Sequence, residues 1–127
     1  MIVAGIGCRP GVRTDEIIAC LRLAESQLGK VAELLAVPFF RAEEPAVSDV
    51  ARQLALQLQI VDDPALSGVQ SVCPTRSERA LQSTGYASVA EGCALAAAGG
   101  MAALLCVPRQ TLGNVTCALA IAEEGLS

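Results

Sequence analysis

The chain opens with MIVAGIGCRPG, residues 1–11, a short apolar run that passes directly into a glycine-rich loop. Such a run, closed by glycines, is typical of a central parallel strand buried on both faces. Thr14-Asp15-Glu16 follows and predicts the start of an amphipathic helix. A strand, a glycine loop and a helix N-terminus together present backbone N–H groups to an anion. We therefore expect the functional site at this loop.

Apolar periodicity along the chain predicts helices that alternate with strands. Helices are predicted at residues 14–28, 45–57, 62–68, 78–83 and 89–98, and further strands at 32–37, 59–61, 102–107 and 115–122. Because only residues 108–114 separate the last two strands, we expect them to pair antiparallel. The pattern predicts an α/β fold: a single three-layer α/β/α domain over residues 1–127, with a mixed, mostly parallel sheet and a C-terminal antiparallel strand pair.

Composition narrows the functional classes. Aromatic residues make up 2% of the 127 residues and the net charge is −4, which argues against binding to nucleic acid or to a membrane surface. No segment is typical of a signal peptide or a transmembrane helix, so we expect a cytoplasmic protein with reduced cysteines. The six cysteines include no CxxC pair and the chain has no histidine, so no metal site is expected.

The basic residues are distributed unevenly. Arg22 and Arg52 lie inside predicted helices and Lys30 lies just after one, whereas six lie in predicted loops or at helix starts: Arg9, Arg13, Arg41, Arg76, Arg79 and Arg109. These six could be ordinary solvated side chains. Alternatively, several of them could converge on a polyanionic ligand, because arginine binds carboxylates and phosphates bidentately.

Motifs of known enzyme classes are incomplete in the opening loop. The spacing Gly5-x-Gly7-x-x-x-Gly11 is one residue longer than the dinucleotide-binding fingerprint, and no acidic residue follows the second predicted strand. A cysteine phosphatase would need its arginine one residue further from Cys8 than Arg13 stands. The helix N-terminus and nearby arginines could still lower the pKa of the Cys8 thiol and make it reactive. Without histidine, no Ser-His-Asp triad can form.

A second helix start is indicated by Ser88-Val89-Ala90-Glu91. The sequence matches a capping box, with Ser88 as the N-cap and Glu91 at the third helical position. A capped helix also offers an anion site at its N-terminus, so Ser88 could serve both roles.

Four segments, taken in order, resemble one known family. They are Gly5-Ile6-Gly7-Cys8-Arg9, Arg41-Ala42-Glu43-Glu44-Pro45, Ser88-Val89-Ala90-Glu91 and Asn114-Val115-Thr116-Cys117-Ala118-Leu119-Ala120. Together they resemble the CobE/CbiG C-terminal domain family of cobalamin (vitamin B12) biosynthesis, over essentially the whole chain. The chain has no room for the other CbiG domains and therefore resembles the stand-alone CobE form. The family usually has lysine where Arg41 and Arg109 stand and aspartate where Phe39 stands.

The resemblance implies a protein that binds a precorrin or hydrogenobyrinic-type tetrapyrrole and acts as a carrier, or as an accessory to neighbouring pathway enzymes. Such intermediates carry about eight carboxylates, which suit arginine forks. No cofactor is implied. The implied ligand-binding residues are Gly5, Gly7, Cys8, Arg9, Gly11, Arg41, Ser88, Glu91, Arg109 and Thr116. Two alternatives remain open: a CbiG-like hydrolase acting on a lactone-bearing precorrin, with Cys8 as nucleophile or Glu91 as general base, and a phosphate- or nucleotide-binding domain.

Overall fold

Five strands form one sheet in a computed structural model that describes residues 1–122. The strands are β1 (Ile2–Cys8), β2 (Leu34–Pro38), β3 (Gln57–Val61), β4 (Ala103–Leu112) and β5 (Val115–Ala122). The helices are α1 (Thr14–Leu28), α2 (Pro45–Gln53), α3 (Asp63–Gly68), α4 (Glu78–Thr84) and α5 (Ala90–Ala97), with short 3-10 turns at Phe39–Arg41, Gln70–Val72 and Gly100–Ala102. Of the domain predicted over residues 1–127, residues 123–127 lie outside the described residues.

The opening strand lies at the centre of the sheet, whose order is β3-β2-β1-β5-β4. β1 pairs parallel to β2 on one side and antiparallel to β5 on the other. β3 continues the parallel half, and β4 pairs antiparallel with β5. The predicted α/β fold with a mixed sheet and a C-terminal antiparallel pair is therefore confirmed.

Helices cover both faces of the sheet, which explains why β1 reads as a continuous apolar run. Ala4 and Ile6 are fully buried and belong to the core between the sheet and α1 and α2. Val3 points to the other face, into the core formed with α3 and α5. The three-layer arrangement is thus the one predicted from the sequence.

Gly5 shapes the second face, because it lets α5 lie directly against β1. A Cβ at this position would overlap the carbonyl oxygen of Ala90 and lie 2.5 Å from the backbone nitrogen of Ala94. Gly5 was predicted to bind ligand; the structure instead gives it a packing role, because no side chain fits between the strand and the helix.

Two predicted boundaries were wrong. α2 ends at Gln53 rather than near residue 57, because Ala55 adopts a left-handed backbone (φ 54°) and the next strand begins at Gln57. The last two strands are joined by a tight turn at Gly113 and Asn114 rather than by the loop 108–114, since β4 continues to Leu112. Gly113 has φ of +60°, which suits the first central position of such a turn.

Candidate functional site

A cavity of about 670 Å³ opens where the carboxyl end of β1 meets the start of β5. Its volume is in the range usual for small-molecule sites. Further walls come from Phe40 and Arg41 after β2, from α4, from the start of α5 and from the outer half of β4. In open α/β sheets, ligands bind beyond the carboxyl ends of the parallel strands, where the direction of winding changes. This cavity lies at that point.

The cavity brings together most of the residues that sequence reasoning selected. Eight of the predicted ligand-binding residues line it: Gly7, Cys8, Arg9, Arg41, Ser88, Glu91, Arg109 and Thr116. Gly5 and Gly11 do not. Thr116 lies beside β1, where its hydroxyl donates to the carbonyl of Gly7 (3.4 Å) and leaves no space for a side chain at that glycine.

Four of the six arginines in predicted loops or at helix starts converge on the cavity: Arg9, Arg41, Arg79 and Arg109. Within residues 1–122, no acceptor or carboxylate engages the side chains of Arg9, Arg79 or Arg109. The other two are occupied elsewhere, because Arg13 pairs with Asp15 (3.1 Å) and Arg76 donates to the carbonyl of Gln70 (2.9 Å). The chain is acidic overall, but this cavity is lined by positive charge.

Arg41 is held in place by three contacts. Its Nε donates to the carbonyl oxygen of Cys8 (2.7 Å), and its Nη1 donates to that of Phe40 (3.2 Å). The guanidinium also lies 5.0 Å from the centre of the Phe40 ring, and that ring stacks against Tyr86 with the ring centres 5.9 Å apart. Cation–π contact and hydrogen bonding therefore fix this arginine against the end of β1.

The opening loop does not present free amides, which corrects the first expectation. The backbone N–H of Arg9 donates to Asn114 and that of Val12 donates to Arg9, both at 3.3 Å. The N–H of Gly11 donates to a Glu44 carboxylate oxygen (3.3 Å), and that of Arg13 donates to Glu16 (3.0 Å). Since Pro10 has no N–H, the loop has no donor left for a phosphate or carboxylate at these positions.

The start of α5 differs from the predicted capping box. α5 begins at Ala90, so the N-cap is Val89 and Glu91 stands at the second helical position. The Ser88 hydroxyl donates instead to the carbonyl oxygen of Thr75, and its N–H donates to the Gln70 side chain (3.1 Å). Ser88 therefore ties α5 to the preceding segment rather than capping the helix.

This start of α5 lies at the cavity and keeps its amides free. Val89, Ala90 and Glu91 all line the cavity. The backbone N–H groups of these three residues form no hydrogen bond with any other described part of the chain. Because first-turn amides point back along the helix axis, they add positive potential to the cavity.

Cys8 lines the cavity but is not an activated thiol. Burial raises its pKa from 9.0 to about 11, an effect that Arg41 partly opposes and Glu44 reinforces. The expectation that the pKa of this thiol is lowered was wrong, because burial raises it by more than the nearby Arg41 lowers it. A thiol with a raised pKa is a poor nucleophile at neutral pH.

Glu91 is 1% exposed, and both of its carboxylate oxygens are engaged. Oε1 accepts the N–H of Thr75 and Oε2 accepts that of Arg109, each at 2.9 Å. A general base needs an oxygen within reach of a substrate proton. The geometry therefore gives Glu91 a structural connection rather than the role of a general base.

One wall of the cavity was missed by sequence reasoning. Thr75, Ser77 and several residues of α4, including Arg79, line this side. Ser77 caps α4 as predicted, by accepting the N–H of Ala80 (3.1 Å). Arg79 was identified only as one of the basic residues at a helix start, and no local pattern indicates that α4 faces the cavity.

The structure adds two observations on metal binding and on membrane-spanning helices. No group of histidine, cysteine, aspartate or glutamate side chains within residues 1–122 is arranged to hold a metal ion. Over the same range, no helix combines the length and the apolar character that crossing a membrane requires.

Comparisons with known proteins agree on one family. Residues 2–120 match the family described as Cobalamin synthesis G C-terminus. A Sinorhizobium protein named CobE is 34% identical over 122 residues, covering 94% of this chain and 79% of that protein. Cobalamin biosynthesis protein chiG from Agrobacterium tumefaciens is 40% identical with a TM-score of 0.78, covering 98% of this chain and all of that one.

A second solved structure has a fold that superposes more closely. The crystal structure of CobE, a protein from the cobalamin biosynthetic pathway, has a TM-score of 0.88 at 29% identity and covers 98% of this chain and 93% of its own. The resemblance seen in the four sequence segments is confirmed over nearly the whole described chain. This chain belongs to the CobE/CbiG C-terminal family and is a cobalamin biosynthesis protein.

Proposed function

We propose that the cavity binds a polycarboxylate precorrin or hydrogenobyrinic-type intermediate, and that the protein acts as a carrier or accessory factor without changing the ligand chemically. The observation that carries this proposal is the convergence of Arg9, Arg79 and Arg109 without acidic partners. Unpaired guanidinium groups in one cavity are the chemistry that recognises several carboxylates on one molecule.

The size of the cavity fits partial enclosure of such a ligand. A volume of about 670 Å³ suits a drug-sized molecule. A tetrapyrrole with acetate and propionate side chains all round its rim is larger, so one edge would enter the cavity and the rest would remain outside. An exposed edge would let a neighbouring cytoplasmic enzyme of the pathway receive the ligand.

Catalysis has less support in the site. The Cys8 thiol has a raised pKa of about 11, and both oxygens of Glu91 accept backbone N–H groups. The family's usual aspartate is replaced by Phe39, which is an exposed member of the aromatic cluster with Phe40 and Tyr86. Neither of the two residues proposed for the lactone hydrolase alternative is therefore suited to act as its nucleophile or general base.

Titration with hydrogenobyrinic acid and with uroporphyrin III tests the proposal. We expect saturable binding, seen as a change in the absorption spectrum, and no binding of ATP or NAD in a parallel thermal-shift series. Arg9→Ala and Arg109→Ala should each weaken binding about tenfold, since each removes a charged hydrogen-bond donor. Arg13→Ala is the matched control, because its guanidinium pairs with Asp15 outside the cavity.

Two results would contradict the proposal. Equal affinity of Arg9→Ala, Arg109→Ala and the wild type would remove the cavity as the binding site. Conversion of a lactone-bearing precorrin by the purified protein, detected by mass spectrometry, would favour the hydrolase.

A further inference from the structure

The segment that precedes α5 is attached to the rest of the protein mainly at its ends. We call residues 75–87 the strap. Its helix, α4, has no buried residue. At the base of the strap, the N–H of Ser77 donates to the carbonyl of Ala87 (2.8 Å), and the Tyr86 hydroxyl donates to Asp63. The position of α4, and of Arg79 on it, is therefore decided by the contacts at the two ends.

Glu91 makes a further contact at one end of the strap, and it also contacts β4, which forms a second wall of the cavity. Its Oε1 accepts the N–H of Thr75, the first residue of the strap (2.9 Å). Its Oε2 accepts the N–H of Arg109 in β4 at the same distance. One buried side chain thus joins the wall that carries Arg79 to the wall that carries Arg109.

The N–H of Arg109 is available because β4 is irregular at this point. The pairing of β4 with β5 shifts between Val107 and Gln110, and Pro108 has no N–H to offer. A bulge leaves residues out of the sheet ladder and redirects their side chains. The Arg109 amide therefore reaches Glu91 while its side chain lines the cavity.

The charge of Glu91 matters for this double connection. A buried carboxylate is stable only when hydrogen bonds replace its water, and backbone N–H donors to a charged acceptor form strong bonds. Glutamine has the same shape but only one acceptor oxygen, so its amide NH₂ would face one of the two N–H groups. Glu91→Gln should therefore keep one connection and break the other.

We propose that Glu91 is a positioning residue that fixes the strap and β4 relative to each other, and so sets which spacing of carboxylates the arginines accept. This inference rests on the proposed ligand class, and it adds a determinant of specificity that does not itself touch the ligand. A site with fixed walls discriminates between ligands that differ in the spacing of their carboxylates, whereas a site with one mobile wall can adapt to several of them.

Glu25 provides a matched control. It is the other buried glutamate within residues 1–122, 6% exposed, and its Oε2 accepts the N–H of Ala32 (2.7 Å) while Oε1 binds Arg22 (2.6 Å). It lies on α1 and does not line the cavity. Glu25→Gln makes the same chemical change at a similar burial and should lower stability without affecting the strap.

The first measurement needs no ligand. Hydrogen exchange followed by mass spectrometry should show residues 75–87 exchanging about tenfold faster in Glu91→Gln, with β1 unchanged. Glu25→Gln should leave the strap at the wild-type rate. Glu91→Asp, which keeps the charge but is too short to reach both amides, should resemble Glu91→Gln and serves if the glutamine variant does not fold. Unchanged exchange in a folded Glu91 variant would overturn the positioning role.

The second measurement tests specificity with two stable porphyrins. The wild type should prefer uroporphyrin III, an octacarboxylate, over coproporphyrin III, a tetracarboxylate, and Glu91→Gln should reduce that preference about tenfold. The same reduction in Glu25→Gln, or none in Glu91→Gln, would overturn the specificity role. If the wild type binds neither porphyrin, the proposed ligand class fails with the specificity role, while the exchange result still decides whether Glu91 positions the strap.

Discussion

The N-termini of α1 and α5 are both candidate anion sites, and they differ in whether the nearby backbone amides are already hydrogen-bonded. The opening loop before α1 has the glycines and the strand that usually build such a site, yet its amides at Arg9, Gly11, Val12 and Arg13 all have acceptors within the protein. The start of α5 has no glycine loop, yet its first amides are free and lie at the cavity.

The difference lies in where the acceptors come from. Glu44 and Asn114 are distant in sequence from the opening loop and reach it only in the folded chain. Ser88, which was expected to cap α5, instead donates its hydroxyl to the carbonyl oxygen of Thr75. A helix start is therefore an anion site only when no neighbouring segment supplies an acceptor first, and that condition is invisible in the local pattern.

The largest expected effect on stability concerns Gly5, where β1, which leads into the opening loop, packs directly against α5. Gly5→Ala should destabilise the protein by about 3 kcal/mol, because its Cβ would overlap the Ala90 backbone and push α5 off the sheet. Gly11→Ala should cost only about 1 kcal/mol, since φ is +78° but no atom lies within 4 Å of a Cβ there. Urea denaturation of both variants measures the difference. Similar losses would contradict the claim that the contact with α5 makes Gly5 the more constrained of the two positions.

A smaller effect on stability is expected from removing the polar side chains that form hydrogen bonds at the two helix starts, Ser88 near α5 and Glu16 in α1. Ser88→Ala should cost about 1.5 kcal/mol by removing its bond to Thr75, and should speed hydrogen exchange in residues 75–87 rather than at the start of α5. Glu16→Ala should cost about 1 kcal/mol by uncapping α1, with faster exchange at Arg13, whose N–H Glu16 accepts. Faster exchange in α5 of Ser88→Ala would restore the capping-box interpretation.

The smallest effect tests whether the opening loop holds a reactive thiol. In the native protein the pKa of Cys8 is about 11, against 9.0 for an unperturbed thiol. Above about pH 9 the unfolded chain loses this proton while the native state keeps it, so stability is complete below that pH and falls as the pH rises towards 11. Burial also raises the pKa of Cys20 and Cys73 to about 11, so the same loss applies to them.

Urea denaturation at about pH 7.5 and about pH 10, under reducing conditions, measures this loss. Cys8→Ser should lose about 1 kcal/mol less than the wild type between the two pH values, after allowance for solvent screening. Alkylation of the native Cys8 thiol should be slow at neutral pH. An equal alkaline loss in Cys8→Ser would show that burial does not raise the pKa of this thiol, and rapid alkylation at neutral pH would show that the loop lowers it.

Sequence reasoning predicted elements well where one pattern dominates. α1 spans the predicted residues 14–28, because its apolar face repeats regularly and Gly29 ends it in a left-handed conformation (φ 76°). Sequence reasoning failed where the helical spacing of one element continues into the strand that follows it. Leu54 and Leu58 share a helical spacing, yet the left-handed Ala55 separates them and places Leu58 in β3.

The candidate site was predicted in its residues but not in its geometry. The arginines at positions 9, 41 and 109 and the polar residues Ser88, Glu91 and Thr116 were selected, and all line the cavity. Arg79 was not selected for the site, since α4 carries no apolar face that would reveal its place. The role of Glu91 could not be foreseen, because its two partners, Thr75 and Arg109, lie in other segments of the chain.

The sequence by itself determined the layered α/β fold, the central position of β1 and the family. These depend on periodic burial and on residue order, which are properties of neighbouring positions along the chain. Only the tertiary structure decided which amides stay free, which arginines meet, and that Glu91 joins two walls. Those outcomes depend on hydrogen-bond partners from distant segments, and a buried or bonded group takes its chemistry from whatever the fold places beside it.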